Sequence, residues 1–434
     1  MSRRPRIVVL LAGVLAAGCA QPERPSTTGL PPAAWVPHTT PEARGEVKTL
    51  PDGKKIQVRY KGWPSEDFSQ FPTYAYDDTR PASPVSKVPV PSMKGDPKEG
   101  RKLFLSRAKG PCTGCHLIPG DDVWPAGNIG PDLSTFGDRN LPDEYVFTQI
   151  YDSRNLFPNT TMPPWGTAGI LKPEEIVHIV AFLQTLKGPV PPEKDANRNP
   201  ETRAKPVGFG DNLDPTNNPA VVLAEGAMSL WDKKGPAGTA CADCHAGGPE
   251  KSMKEVATRF PKYVKTFQRV MSIEDFLAVH APATTGLSML AQSDDNLHMT
   301  MLIKMQSNGM PVNVDLSSLE ARAAMERGRA GFFKKVGQRN HACADCHTKG
   351  AGRGADKFLG GRLLGDAEAG FTKHFPVWRT SQGAVWDMRR RMQWCMTPLG
   401  MNVLPADAVE YAELELFLTA FDNGQPMSVP GIRH

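Results

Sequence analysis

Cys112-Thr113-Gly114-Cys115-His116, Cys241-Ala242-Asp243-Cys244-His245 and Cys343-Ala344-Asp345-Cys346-His347 repeat one pattern, Cys-x-x-Cys-His. It is the attachment site of a c-type haem. Two thiols add across the porphyrin vinyl groups, and the adjoining imidazole gives iron its first axial bond. With 8 Cys and 10 His among 434 residues, chance would supply roughly 0.003 copies, so three copies carry information. Zinc sites or disulfides are the other reading of paired cysteines. Neither demands a histidine abutting the second cysteine three times over. The sequence therefore predicts three covalently bound haem c groups.

Three haem sites set the fold class. The prediction is a mostly α chain of three class I cytochrome c-like haem domains joined by Pro-rich linkers. Domains of this kind wrap short helices around a porphyrin, which supplies apolar area that so short a chain could not bury alone. Residues 19–94 are rich in Pro, Thr and Ser and read as a tether, with a short strand at Ile56 to Tyr60. Residues 95–190 hold the first haem motif, and a Pro- and Asn-rich linker follows at 191–215. The rest divides into 216–315 and 316–434, whose motifs stand about 100 residues apart, as in a duplicated unit. Helix signals recur throughout. Pro173, Glu174 and Glu175 open a helix carrying Ile176, Ile179, Val180 and Leu183. Ser272 and Asp275 form an N-cap pair before Phe276. Asp407 to Phe421 reads as an amphipathic helix stopped by Asn423-Gly424.

The N-terminus carries an export signal: Arg3, Arg4 and Arg6, then a short apolar run from Ile7 to Ala17. The run is too short for a permanent membrane span. Leu15-Ala16-Ala17-Gly18-Cys19 resembles a bacterial lipobox, with residues 1–18 removed and Cys19 lipidated; ordinary cleavage after Ala20 is the alternative. Both place the mature chain in the periplasm, the first as a lipid-anchored protein. The formal net charge of +5 drops by three once the leader arginines go, so nothing global points to nucleic acid.

The second axial ligand is clearest for the first haem. Met162, in Thr161-Met162-Pro163-Pro164-Trp165, offers a thioether from a proline-rich turn. For the second haem, His280, His298, Met289, Met299 and Met301 all compete. For the third, the cysteine ledger speaks. Six of the eight cysteines attach haem and Cys19 belongs to the leader, which leaves Cys395 alone. It lies in Arg389-Arg390-Arg391-Met392-Gln393-Trp394-Cys395. On a helix, Arg391 and Cys395 share a face, and a guanidinium there favours the thiolate.

These residues resemble a known family of paired cytochromes. Residues 95–190 resemble SoxX through Cys112 to His116, Asn128-Ile129-Gly130-Pro131 and Met162-Pro163-Pro164. Residues 216–434 resemble diheme SoxA through Leu230-Trp231, Cys241 to His245, Cys343 to His347, Arg391 to Cys395 and Phe421-Asp422-Asn423-Gly424. The chain thus looks like a SoxX–SoxA fusion. The resemblance implies L-cysteine S-thiosulfotransferase activity: thiosulfate is joined oxidatively to a cysteine of the SoxYZ carrier, and two electrons leave through haem to a soluble cytochrome c. It implies that Cys395 is the reactive sulfur and third-haem ligand, with Arg391 as its active-site arginine; Arg379 is a second candidate positive contact. One departure stands out. SoxA proteins of this kind ligate their first haem with a cysteine, yet none occurs between Cys244 and Cys343. His280 takes the missing position, implying His/His ligation of the second haem. The metal-ligand set expected is therefore His116 with Met162, His245 with His280, and His347 with Cys395. Two rivals remain. One is a carrier-independent thiosulfate dehydrogenase, in which the ligating cysteine follows the first haem motif. The other is a non-enzymatic electron wire.

Overall fold

The computed structural model describes residues 84–190, 214–349 and 356–433, apart from scattered short interruptions, together with the strands Glu46–Thr49 and Lys55–Arg59. The leader, Cys19 and almost all of the 191–215 linker lie outside the described residues. The strand expected at Ile56 to Tyr60 spans Lys55–Arg59 and pairs antiparallel with Glu46–Thr49. No helix among the described residues is long and apolar enough to cross a membrane.

In the first haem module the helices Pro97–Leu105 and Pro173–Leu183 cross at their backbones. Gly100 makes this possible: a Cβ there would lie 1.9 Å from the His178 carbonyl oxygen. One turn on, Phe104 meets Phe182 edge to face with centroids 5.7 Å apart. Asp96 caps the first helix by accepting from the Lys98 amide at 2.8 Å, and Glu175 accepts from the Lys172 amide at the start of the other. The helix Asp143–Asp152 closes the module over a core that includes Ile118, Phe147 and Ile176.

The same crossing recurs near the third haem motif. Leu319–Phe333 packs on Val409–Thr419. A Cβ at Gly328 would lie 2.1 Å from the Glu413 carbonyl oxygen, and Phe332 meets Phe417 at 5.4 Å. In both crossings a glycine and the phenylalanine four residues later face a residue and the phenylalanine four residues after it. Spacing of i, i+4 keeps both contacts on one helix face.

The helix expected at Asp407 to Phe421 spans Val409–Thr419, with a 3₁₀ turn at Ala420–Asp422. It is not amphipathic: every residue from Glu410 to Thr419 is buried. Two of its three buried glutamates have a cation nearby: Arg327 pairs with Glu413, and Arg389 Nε lies 3.9 Å from Glu415. One hydrophobic core runs from Ala227 and Trp231 through Met299 to Leu416 and Val429. The 315/316 boundary is therefore a division of sequence across a shared core. Small sheets trim this core, among them the three-stranded sheet in which Val377–Arg379 pairs antiparallel with Ala384–Trp386 and parallel with Gly431–Arg433.

A buried charge cluster sits inside. Arg389 donates to Asp275 at 2.6 Å and to the Ala406 carbonyl at 2.7 Å, while Lys304 pairs with Glu274 at 3.3 Å. Burial, and then the charge of Glu274, push the Glu415 carboxyl up to about 8. The native chain thus holds a proton that the unfolded chain releases near pH 4, and its stability falls as pH rises through the native value. Glu415→Gln should flatten that slope. Its thermal midpoint is expected to match wild type near pH 5 and exceed it near pH 9; equal slopes for the two proteins would remove Glu415 as the cause.

Candidate functional site

Each Cys-x-x-Cys-His motif forms a short helical turn over its two cysteines. No described cysteine is disulfide-bonded. In the first motif His116 Nδ1 lies 2.8 Å from the Pro131 carbonyl. In the third, His347 Nδ1 lies 2.8 Å from the Gly365 carbonyl. A ring whose Nδ1 donates to a carbonyl presents Nε2 as its ligand nitrogen. Burial pushes the Cys112, Cys115, Cys343 and Cys346 thiols up to about 12. Such apolar cradles suit porphyrin edges, so the residues present fit haem c.

Met162 belongs to the first module's core boundary along with Cys112 and Tyr151. Its loop is pinned by Ser153 Oγ donating to the Met162 carbonyl at 2.8 Å and by the Met162 amide donating to Thr160 Oγ1 at 3.1 Å.

At the second motif, His245 and His280 face each other with ring centroids 6.2 Å apart. These two imidazoles would hold a haem iron between them. His280 projects from the helix Ile273–Thr284, which Ser272 and Asp275 cap reciprocally at 3.2 and 3.0 Å. Phe276, one turn earlier, stacks on the His280 ring at 5.1 Å, and Trp231 lies 5.6 Å from His245. Burial and then the nearness of His245 lower the His280 pKa, which favours the neutral, ligating imidazole. His298 sits half-buried on the helix Asp294–Met305 and, among the described residues, makes no ring contact with His245. Met289 and Met299 are packed in the shared core, and Met301 in a separate cluster with Ala220 and Leu297.

His347 of the third motif lies close to Cys395, on the helix Met388–Met396. Arg391 Nη1 lies 3.1 Å from Cys395 Sγ, the i, i+4 pair expected from sequence. Burial alone would raise the thiol pKa. Arg391, the nearness of His347 and the charge of Arg379 outweigh it, and the net shift is downward. Arg379, 5% exposed, stands over the Trp386 ring at 5.3 Å. Burial, then Arg391 and Arg362, lower its guanidinium pKa to about 10. The structure thus gathers His347, Cys395, Arg391 and Arg379 as anticipated.

Sequence reading missed Arg362, whose guanidinium lies 4.6 Å from the Trp394 ring. It comes from a short hairpin far from Cys395 in sequence, and no spacing rule flags it. It also missed the seam between the first and third haem motifs. Asn128, in the stretch singled out above, exchanges hydrogen bonds with Phe358, and Lys335 bridges the Thr160 carbonyl to Asp345 of the third motif.

A model of the SoxA/TsdA cytochrome c domain matches residues 226–312, and one of the cbb3-type cytochrome c oxidase subunit III matches residues 95–183. The chain is similar to the L-cysteine S-thiosulfotransferase subunit SoxA of Pseudaminobacter salicylatoxidans, 28% identical over 218 residues, which covers 50% of this chain and 73% of that protein. The same subunit of Paracoccus pantotrophus is 28% identical over 225 residues, covering 51% and 73%. A crystal structure of SoxXA from P. pantotrophus aligns at 27% identity and a TM-score of 0.44, over 51% of this chain and 81% of that one. Cytochrome c domains at 95–183 and 226–312, with SoxA relatives along the C-terminal half, together support a SoxAX-type cytochrome.

Proposed function

We propose that this chain is a periplasmic trihaem L-cysteine S-thiosulfotransferase, with a SoxX-like module at 95–190 and a SoxA-like part at 216–434. It joins thiosulfate to a cysteine of a SoxYZ-type carrier, and a cytochrome c takes the electrons. The observation that carries the reading is Cys395 Sγ at 3.1 Å from Arg391 Nη1, beside His347 and among further guanidiniums. The names of the SoxA relatives supply the reaction class. His116 with Met162, His245 with His280, and His347 with Cys395 are the residues that would hold three haem c groups. Haem bound there supplies a one-electron sink.

The chain's own residues do the rest. One thiosulfate dianion and one carrier thiol give a carrier thiosulfonate, two electrons and one proton. The Arg391 guanidinium holds Cys395 as thiolate and balances the approaching dianion. Loss of two electrons joins Cys395 Sγ to the terminal sulfur of thiosulfate as Cys–S–S–SO₃⁻. The carrier thiolate then attacks the sulfur bearing the sulfonate, and Cys395 leaves as thiolate. Thiosulfate-dependent haem reduction with and without carrier tests the reading. A transferase turns over only with carrier, a thiosulfate dehydrogenase turns over without it, and an electron wire shows no reduction at all.

The second-haem ligand has its own test. His280→Gly should lose one bis-histidine low-spin signal in paramagnetic resonance, while the other two haem signals persist. Loss of that signal in His298→Gly instead would assign the ligand to His298.

A further inference from the structure

We infer that Arg362 is the outer arm of a three-guanidinium anion site for thiosulfate at Cys395, and that the first haem module holds this arm in place through Asn128. The inference rests on the transferase reading and names what recognises the substrate's charge.

Four arginines gather on two adjoining indoles, and three of them frame the site; the fourth, Arg390, lies 5.9 Å from the Trp386 ring centroid. Trp386 and Trp394 have ring centroids 6.0 Å apart. Arg379 stands over Trp386 at 5.3 Å, while Arg391 and Arg362 stand over Trp394 at 5.2 and 4.6 Å. Arg391 lies 3.1 Å from the Cys395 thiol, and Arg379 and Arg362 are both near enough to interact with it electrostatically. Among the described residues none of the three has a carboxylate partner within ion-pair reach. Arg379 Nε is moreover buried without a hydrogen-bond acceptor. Stacking on indole fixes the guanidinium planes while leaving their N–H edges to a ligand. Like charges held so close repel: after burial itself, Arg391 lowers the pKa of both Arg379 and Arg362, and Arg362 lowers that of Arg379. A compact dianion relieves that repulsion. Sulfonate offers three oxygens to such donors, and its terminal sulfur is left for Cys395. Exposure grades inward, from exposed Arg362 through half-buried Arg391 to buried Arg379, as expected of a site that draws an anion in from solvent.

Arg362 opens the second strand of the hairpin Lys357–Leu359/Arg362–Leu364, opposite Leu359. That hairpin is seated on the first haem module. The Phe358 amide donates to Asn128 Oδ1 at 2.7 Å, Asn128 Nδ2 donates to the Asp356 carbonyl at 3.0 Å, and the Asn128 amide donates to the Phe358 carbonyl at 3.1 Å. The Gly360 amide donates to the carbonyl of Gly114, inside the first haem motif, at 2.8 Å. Asn128 thus holds the edge of the hairpin with both its backbone amide and its side chain. Gly127 admits the approach, since a Cβ there would lie 2.6 Å from the Phe358 carbonyl oxygen.

The test is calorimetric binding of thiosulfate to the fully reduced trihaem protein without carrier, where no electron can be accepted and binding is read apart from turnover. Arg362→Gln should weaken binding about 10-fold and make it less sensitive to salt, with haem spectra unchanged; Arg362→Lys should recover part of the loss. Asn128→Ala, in the other module, should weaken binding in the same direction by about 3- to 10-fold. Wild-type affinity in Arg362→Gln overturns the arm. Wild-type affinity in Asn128→Ala alone overturns the seating. Absence of thiosulfate binding by wild type overturns the transferase reading along with both.

Discussion

Cys395→Ser is expected to leave a folded trihaem protein whose transfer of thiosulfate to carrier falls by several orders of magnitude. Haem attachment uses six other cysteines, so haem content should survive. Serine is close in size, and the site it occupies is only half-buried. What it lacks is sulfur chemistry: a hydroxyl at this position neither forms a thiolate nor undergoes exchange with a sulfane sulfur. Arg391→Ala should cost less, roughly 10- to 1000-fold, because it removes charge stabilisation and spares the nucleophile. The measurement is the rate of carrier thiosulfonation at matched haem content. Wild-type activity in Cys395→Ser would return the chain to electron transfer alone. Equal losses in the two variants would show that Cys395 acts only in company with its guanidinium.

The ordering of these effects was largely legible in the sequence, because the chemistry there is local. A Cys-x-x-Cys-His turn brings its own three groups together, and the i, i+4 spacing of Arg391 and Cys395 requires only a helix. The capping pair Ser272 and Asp275 was readable for the same reason, and it fixes the helix that carries His280 to His245. Long-range contacts were not readable. Arg362 reaches the site because a hairpin seats on another module. The burial of Val409–Thr419 depends on the partners that Arg327, Arg389 and Lys304 provide. Glu413 and Glu415 in an apolar helix look like part of a solvated face until those cations are placed. The repeated Gly/Phe crossing lies between these cases. Gly100 with Phe104 and Gly328 with Phe332 are visible as i, i+4 pairs, but their meaning comes only from the helix they meet.

Arg389→Ala is the substitution expected to cost most in stability. Arg389 is 1% exposed and lies on the helix of Cys395, two residues before Arg391. Both nitrogens of its fork meet Asp275, one at 2.6 Å, and one also reaches Ser272 Oγ at 3.2 Å. Asp275 and Ser272 are the cap of the His280 helix. One buried guanidinium therefore ties the sulfur helix to the helix that faces the second haem motif. Removing it leaves Asp275, Glu274 and Glu415 with Lys304 as the remaining buried cation of the cluster. Breaking a buried pair from one side strands the other charge and typically costs about 3–5 kcal/mol, a large share of a domain's stability. The denaturation midpoint should fall accordingly. Arg389→Met combined with Asp275→Leu should recover much of the loss, since neither charge is then stranded. The functional readout separates anchoring from bulk stability. In the folded fraction of Arg389→Ala, the signals assigned to the second and third haems should both shift while that of the first haem stays put. Unchanged signals from the second and third haems would mean that the tie bears only on stability. A shift confined to the third haem would place its influence on the Cys395 helix alone.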